Sequence, residues 1–348
     1  MAIWFIEGFD HYSLWPYAVP PATSTADLLR KWTTVNVAAE VGPGYARQQP
    51  GQGAKLTNTQ SLYKARPGAL TDTGIAGFAF QVSANNVATV LVSFIDTGSL
   101  QCEVRIDSSG RITFTRNGTV LATSTNTLSP NTWYYLEAKA KVHNSTGTYE
   151  VRINGSATNW IPAATGANTR STANNQITGI MLGQVTNMNH YFDDLYFADA
   201  TGTANTDFLG PQTVIALRPA AAGNYAQFTP NYGNNFGNLT KTMPDGDASF
   251  NASVTADHRD SFLLGDVPFA AGTIAAIQHV IYAKQDAGAQ RVLKPMQRTS
   301  TTNRDGTAIN LSTSYTYSLE VMQVNPADDA AYAIADLNAD EFGYTLVS

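Results

Sequence analysis

From Gly77 to Ala198 the chain is a succession of short segments in which apolar and polar residues alternate, each closed by a turn signal. Period-2 alternation puts every second side chain on one face of a pleated strand, and turn residues at short intervals send the chain back antiparallel. Val87 to Ile95 is a continuous apolar, β-branched run, and Leu100 to Asp107 alternates. Asp107-Ser108-Ser109-Gly110 turns into Arg111 to Arg116, and Asn117-Gly118, a two-residue hairpin signal, leads into Thr119 to Ala122. Trp133 to Val142 predicts a long strand with Leu136, Ala138, Ala140 and Val142 on one face and Glu137, Lys139 and Lys141 on the other. Thr148 to Ile153, Ile177 to Val185 and His190 to Ala198 complete the set. Helical crossovers are nearly absent, so an all-β antiparallel sandwich is expected in place of an α/β sheet.

A polar passage between Asp199 and Gln212 predicts a domain boundary. It gives a first domain over 1–199, a linker over 200–211 and a smaller, β-rich C-terminal domain over 212–348. Strand candidates in the second domain are Val214 to Leu217, Tyr225 to Thr229, Asp260 to Leu264, Thr273 to Lys284, Arg291 to Gln297, Tyr315 to Val324 and Phe342 to Val347. Ala330 to Leu337 predicts one short helix there, and Ser24 with Asp27 predicts another near the start, running through Trp32.

Composition narrows the function classes. Only 14% of the residues are charged, against about 25% in an ordinary soluble protein, and Thr, Asn, Ser and Gly supply the missing polarity. The formal charge of −6 argues against a general nucleic-acid surface, because phosphate binding needs a basic field. Cys102 is the single cysteine, which excludes an intramolecular disulfide and a cysteine-built zinc cage and predicts a buried strand thiol. No stretch approaches the roughly 20 apolar residues of a membrane span, and Met1 to Glu7 lacks the basic and long apolar regions of a secretory signal. A product folded in the cytoplasm without membrane insertion is expected.

The stretch from Gly110 through Gly155, with its Asn-Gly hairpin, Trp133 opening a long strand, and Gly147-Thr148-Tyr149-Glu150-Val151-Arg152-Ile153-Asn154-Gly155, resembles the laminin-G-like and concanavalin A-like jelly rolls. Tyr191-Phe192-Asp193-Asp194-Leu195-Tyr196-Phe197 fits the final strand of such domains. The second half, through Val214 to Pro219, Asn224 to Pro230, Asp260-Ser261-Phe262, Gly272-Thr273-Ile274, Leu311 to Tyr315, Asn325-Pro326 and Leu337 to Gly343, resembles the C-terminal part of tailed-bacteriophage structural proteins that carry a jelly roll. The resemblance implies a virion structural protein of the tail, a fibre or the capsid exterior, assembled in the host cytoplasm. It would act through homo-oligomeric contacts and contacts with other virion proteins.

Jelly rolls of this shape commonly place their first and last strands side by side. That would bring Glu7 and Asp10 toward Asp193 and Asp194, and four hard oxygen donors suit a structural calcium ion. The plainer alternative has Asp10 and Asp193 capping turns or bonding backbone amides while Asp194 is solvated. No Glu-x-Asp-x-x-Glu strand, nucleophile elbow, phosphate loop or His-Glu-x-x-His helix is present, and Glu137 and Glu150 read as surface charges paired across adjacent strands. The chain is therefore expected not to be an enzyme. There are two rival readings: a glycan-cleaving enzyme, which requires two carboxylates opposed in a cleft, and, ahead of it, a host-surface glycan-binding module. Its aromatic platforms would be Trp160, in an expected loop over Thr158 to Pro162, and Tyr225 and Tyr232 in the Tyr/Asn-rich run Tyr225 to Phe236.

Overall fold

The computed structural model describes residues 2–12, 22–36, 39–48, 50–183, 188–240, 244–286 and 288–348. The chain divides into two units, Met1–Ile215 and Ala216–Ser348. Among the described residues the first unit holds β1 (Ile3–Glu7), α1 (Ala22–Leu29), β2 (Thr34–Asn36), β3 (Glu40–Gly42), β4 (Gly53–Leu56), β5 (Ser61–Ala65), β6 (Thr73–Val82), β7 (Thr89–Asp96), β8 (Ser99–Ile106), β9 (Arg111–Arg116), β10 (Thr119–Thr127), β11 (Tyr134–Lys141), β12 (Gly147–Ile153), β13 (Ser156–Ala167), β14 (Gly179–Gly183) and β15 (His190–Asp199). One sheet runs β13-β12-β11-β6-β15-β4-β3, with β1 also on β15, and the other runs β10-β9-β8-β7-β14-β5-β2. All pairings are antiparallel, so the first unit is the expected jelly-roll sandwich.

Alternation decides which side chains meet between the sheets. Leu136, Ala138 and Ala140 of β11 are buried with Phe78 and Phe80 of β6, and from the other sheet come Val92, Phe94, Cys102, Val104, Ile112 and Phe114. Phe114 of β9 stacks on Tyr149 of β12 with ring centroids 4.5 Å apart, joining the two layers. Gly74 leaves room for Phe94, whose ring carbon would lie 2.8 Å from a Cβ placed there. Each large apolar side chain sealed in this way contributes about 1.5–3 kcal/mol. Burial also pushes the Cys102 thiol well above its ordinary pKa, with Glu103 adding to the effect.

β15 is the strand that builds the polar end of the sandwich. It pairs with β4 over His190–Phe192 and with β1 over Leu195–Ala198, and its register against β6 shifts between Asp193 and Tyr196. Asp194 takes a left-handed φ of 51° at this break. The bulge re-aims the strand, so Phe192 and Phe197 both point inward although they are five residues apart.

The second unit holds β16 (Pro219–Ala226), β17 (Thr229–Pro230), α2 (Asn235–Leu239), β18 (Asn251–Ala252), β19 (Arg259–Leu264), β20 (Ile277–Ala283), β21 (Val292–Thr299), β22 (Thr302–Asp305), β23 (Ile309–Asn310), β24 (Thr316–Met322), α3 (Ile334–Ala339) and β25 (Glu341–Leu346). Its main sheet runs β16-β19-β25-β21-β22 with β23 on β21, and β17-β18 and β20-β24 form separate ribbons. Ile281 of the β20-β24 ribbon packs with Phe228, Leu293 and Leu346, while Leu337 of α3 packs with Tyr332 and Phe342. Residues 200–215, which include the stretch expected as a linker, fall within the first unit.

Candidate functional site

The pairing of β1 with β15, Glu7 opposite Leu195, places the chain's early and late carboxylates at one end of the sandwich. Glu7 is nonetheless committed elsewhere. Its buried carboxylate lies 3.2 Å from Lys31 Nζ and accepts bonds from the Tyr12 hydroxyl and the Phe9 N–H, each at 2.8 Å. Burial alone would raise its pKa, but Lys31, His11 and these bonds more than reverse that and hold it below the ordinary value.

Asp193 and Asp194 bond to Arg47, and Asp10 is near enough for its charge to act on Asp193. Asp193 accepts the Arg47 N–H and the Asp194 N–H, each at 2.8 Å. Asp194 accepts Arg47 Nη1 at 3.0 Å and the Val214 N–H at 2.8 Å. Asp10 accepts the Gln52 N–H at 2.7 Å, and its charge acts on Asp193. Burial and then the Asp194 charge push the Asp193 carboxyl up to about 8, and burial raises Asp194 as well. The cation among these carboxylates is a guanidinium. Among the described residues, no group of three or more His, Cys, Asp or Glu side chains is placed to hold a metal ion. Arg47 gave no signal in the sequence, since it lies 146 residues from Asp193.

The outward face of the same sheet carries a polar layer. Gly77 lacks a side chain where a Cβ would stand 2.1 Å from the Tyr196 ring, so Tyr196 lies flat over β6 and its hydroxyl donates to Glu137 Oε1 at 2.6 Å. The same oxygen accepts the N–H groups of Leu209 at 2.8 Å and Gly210 at 2.9 Å. Residues 207–214 thus strap this face: Asp207 pairs with Lys139 at 3.2 Å, Phe208 covers the Arg152 guanidinium at 4.3 Å, and Gln212 O accepts Arg47 Nη1 at 3.0 Å. Glu137 is therefore fully buried, which corrects its reading as a surface charge; Glu150 pairs along its own strand with Arg152 at 2.7 Å.

The expected aromatic platforms fall on different elements. Trp160 sits half-buried on β13, which corrects the expected loop. Pro162 follows two residues later and is tolerated because β13 is an edge strand, where a missing N–H breaks no ladder. Trp133 is half-buried immediately before β11. Tyr225, on β16, accepts a 2.8 Å bond from Asn303 Nδ2, and the Arg298 guanidinium lies 5.5 Å from its ring centroid.

Tyr232 differs from these: it is 78% exposed, between Asn231 and Gly233. The loop that carries it is fixed by side-chain amides. Asn231 accepts the Phe250 N–H at 2.8 Å and donates to Ala248 O at 3.1 Å, and Asn234 caps α2 by accepting the Gly237 N–H at 2.7 Å. Buried Asn235 donates to Phe228 O at 2.6 Å and to Asp260 Oδ2 at 2.7 Å. Asn238 donates to Phe250 O at 2.8 Å, and Asn251 ties Asn235 O to Asp260 at 3.0 and 3.2 Å. The Asn-rich composition of this run was visible in the sequence, but its hub, Asp260, was not.

No protein-family model matches the chain, and no curated protein matches it in sequence. Solved structures similar to it include the catalytic domain of a glycoside hydrolase family 131 protein from Coprinopsis cinerea, at 14% identity and a TM-score of 0.38, covering 60% of this chain and 98% of that one. An alginate lyase matches at 12% identity and a TM-score of 0.36, covering 56% of this chain and 96% of that one. A Trypanosoma rangeli sialidase matches at 9% identity and a TM-score of 0.34, covering 47% of this chain; the chain spans only 27% of that sialidase. The expectation that the chain is not an enzyme is withdrawn on this finding, since the structures it is similar to are enzymes by name. Nothing in these comparisons points to a bacteriophage virion protein.

Proposed function

We propose that the protein recognises glycans, with Tyr232 as the ring on which a sugar stacks. What carries the reading is Tyr232 itself, a large ring left 78% exposed on a loop immobilised by five asparagine amides. A loop whose backbone is held in place loses little conformational entropy on binding, and the ring's apolar face matches the C–H face of a pyranose while its hydroxyl stays wet. The exposed Asn231 and Asn234 flank it with polar side chains, and the low charge density of the chain keeps the surroundings suited to a hydroxylated ligand.

The test is a glycan array followed by titration calorimetry on the best ligand, comparing the native chain with Tyr232→Ala. Loss of one stacking ring is expected to weaken binding about tenfold or more, with an unchanged melting temperature because the ring covers no core. Unchanged affinity in the variant overturns the site, and an empty array overturns the function. Assaying the same mixtures for new reducing ends and for unsaturated uronates separates recognition from cleavage.

A further inference from the structure

We propose that the outward face of the β11-bearing sheet is a second glycan site, selective for uncharged sugars, and that residues 207–214 occupy it. The floor is made of Tyr135, Glu137, Asp193, Asp194 and Tyr196, all buried, with Arg47 and Arg152 at its margins. Every one of residues 207–214 that lies over it is half-buried or exposed. The segment can therefore lift without opening the hydrophobic core.

The contacts the segment makes are those a polyol would make. Three backbone N–H groups, of Leu209, Gly210 and Val214, donate into Glu137 and Asp194, and one carbonyl, of Gln212, accepts from Arg47. Sugar hydroxyls supply the same donors and acceptor. Glu137 keeps one carboxylate oxygen, Oε2, buried with no hydrogen-bond partner, although the other accepts three bonds. An orphaned buried acceptor costs about 1–3 kcal/mol, and a ligand hydroxyl would satisfy it where the peptide does not. The free Glu137 oxygen calls for a hydroxyl donor, which a sugar hydroxyl supplies and a uronate carboxylate does not.

The experiment uses the full chain carrying Tyr232→Ala, so that the glycan site of the second unit does not contribute. Two variants loosen the segment: Gly210→Pro, which removes one N–H and cannot adopt the observed φ of 76°, and Phe208→Ser, which frees Arg152. Amide exchange at Leu209 and Val214, which both variants retain, reports lifting, and calorimetry measures cellohexaose, a hexaguluronate and a synthetic peptide of residues 205–215. Expected are faster exchange in both variants and about tenfold tighter cellohexaose binding, because the occluded fraction falls, with no gain for the hexaguluronate. The proposal is overturned if the amides stay protected in both variants. It is equally overturned if they exchange freely while cellohexaose affinity is unchanged, or if the uronate or the peptide binds better than cellohexaose.

Discussion

Lys31→Met should strip the buried Glu7 carboxylate of its nearest cation. The pair is separated by 3.2 Å with both side chains essentially sealed from solvent. Removing one partner of a buried pair leaves an uncompensated charge and costs about 3–5 kcal/mol. The lower end is expected here, about 3 kcal/mol, because Glu7 keeps its bonds from Tyr12 and Phe9 and His11 stays 3.6 Å away. For a unit of this size that corresponds to a melting temperature lower by about 6–12 °C, read by circular dichroism or calorimetry at pH 7. The folded Glu7 lies below its ordinary pKa, so its stabilisation is fully present above the unfolded value of about 4.3 and is lost as pH falls from there through the lower folded value. Lys31→Met should flatten that acid limb. Glu7→Gln with Lys31→Met removes both charges and should recover most of the loss. A single variant within about 1 kcal/mol of the native chain would show that Glu7 does not depend on Lys31, and the accounting of this end of the sandwich would fall.

Other outcomes follow from the same reasoning. Asp193 has a folded pKa raised to about 8 by burial and by Asp194, so the native state holds a proton the unfolded chain has lost. Its contribution to stability should therefore fall as pH rises from about 4 toward 8, and the difference between urea titrations of the native chain and Asp193→Asn should show that fall between those limits. Asn235→Ala deletes bonds to Phe228 O and to Asp260. It should destabilise the second unit by about 2 kcal/mol, and an unchanged urea midpoint would contradict the framework role. Cys102, buried with its thiol pushed up, should resist iodoacetamide until denaturant is added; labelling in buffer would contradict its burial.

Local pattern determined the strands of the sandwich because alternation and turn chemistry are short-range. Leu136, Ala138 and Ala140 face the core, and Asn117-Gly118 closes the β9-β10 hairpin with positive φ at both residues, as two-residue turns require. Strand β13 was illegible because Pro162 reads as a breaker, and only its place at a sheet edge makes it tolerable. The sequence also put the acidic residues of the two ends in one region, but it could not say which of them would find a cation. Tertiary structure decided that: Lys31 reaches Glu7, Arg47 reaches Asp194, and residues 207–214 turn an outward Glu137 into a buried one. Charge pairing depends on contacts between segments tens to more than a hundred residues apart, and no periodicity encodes such distances. The face a side chain takes is therefore written in its neighbours, while its protonation, burial and partner come from the folded chain.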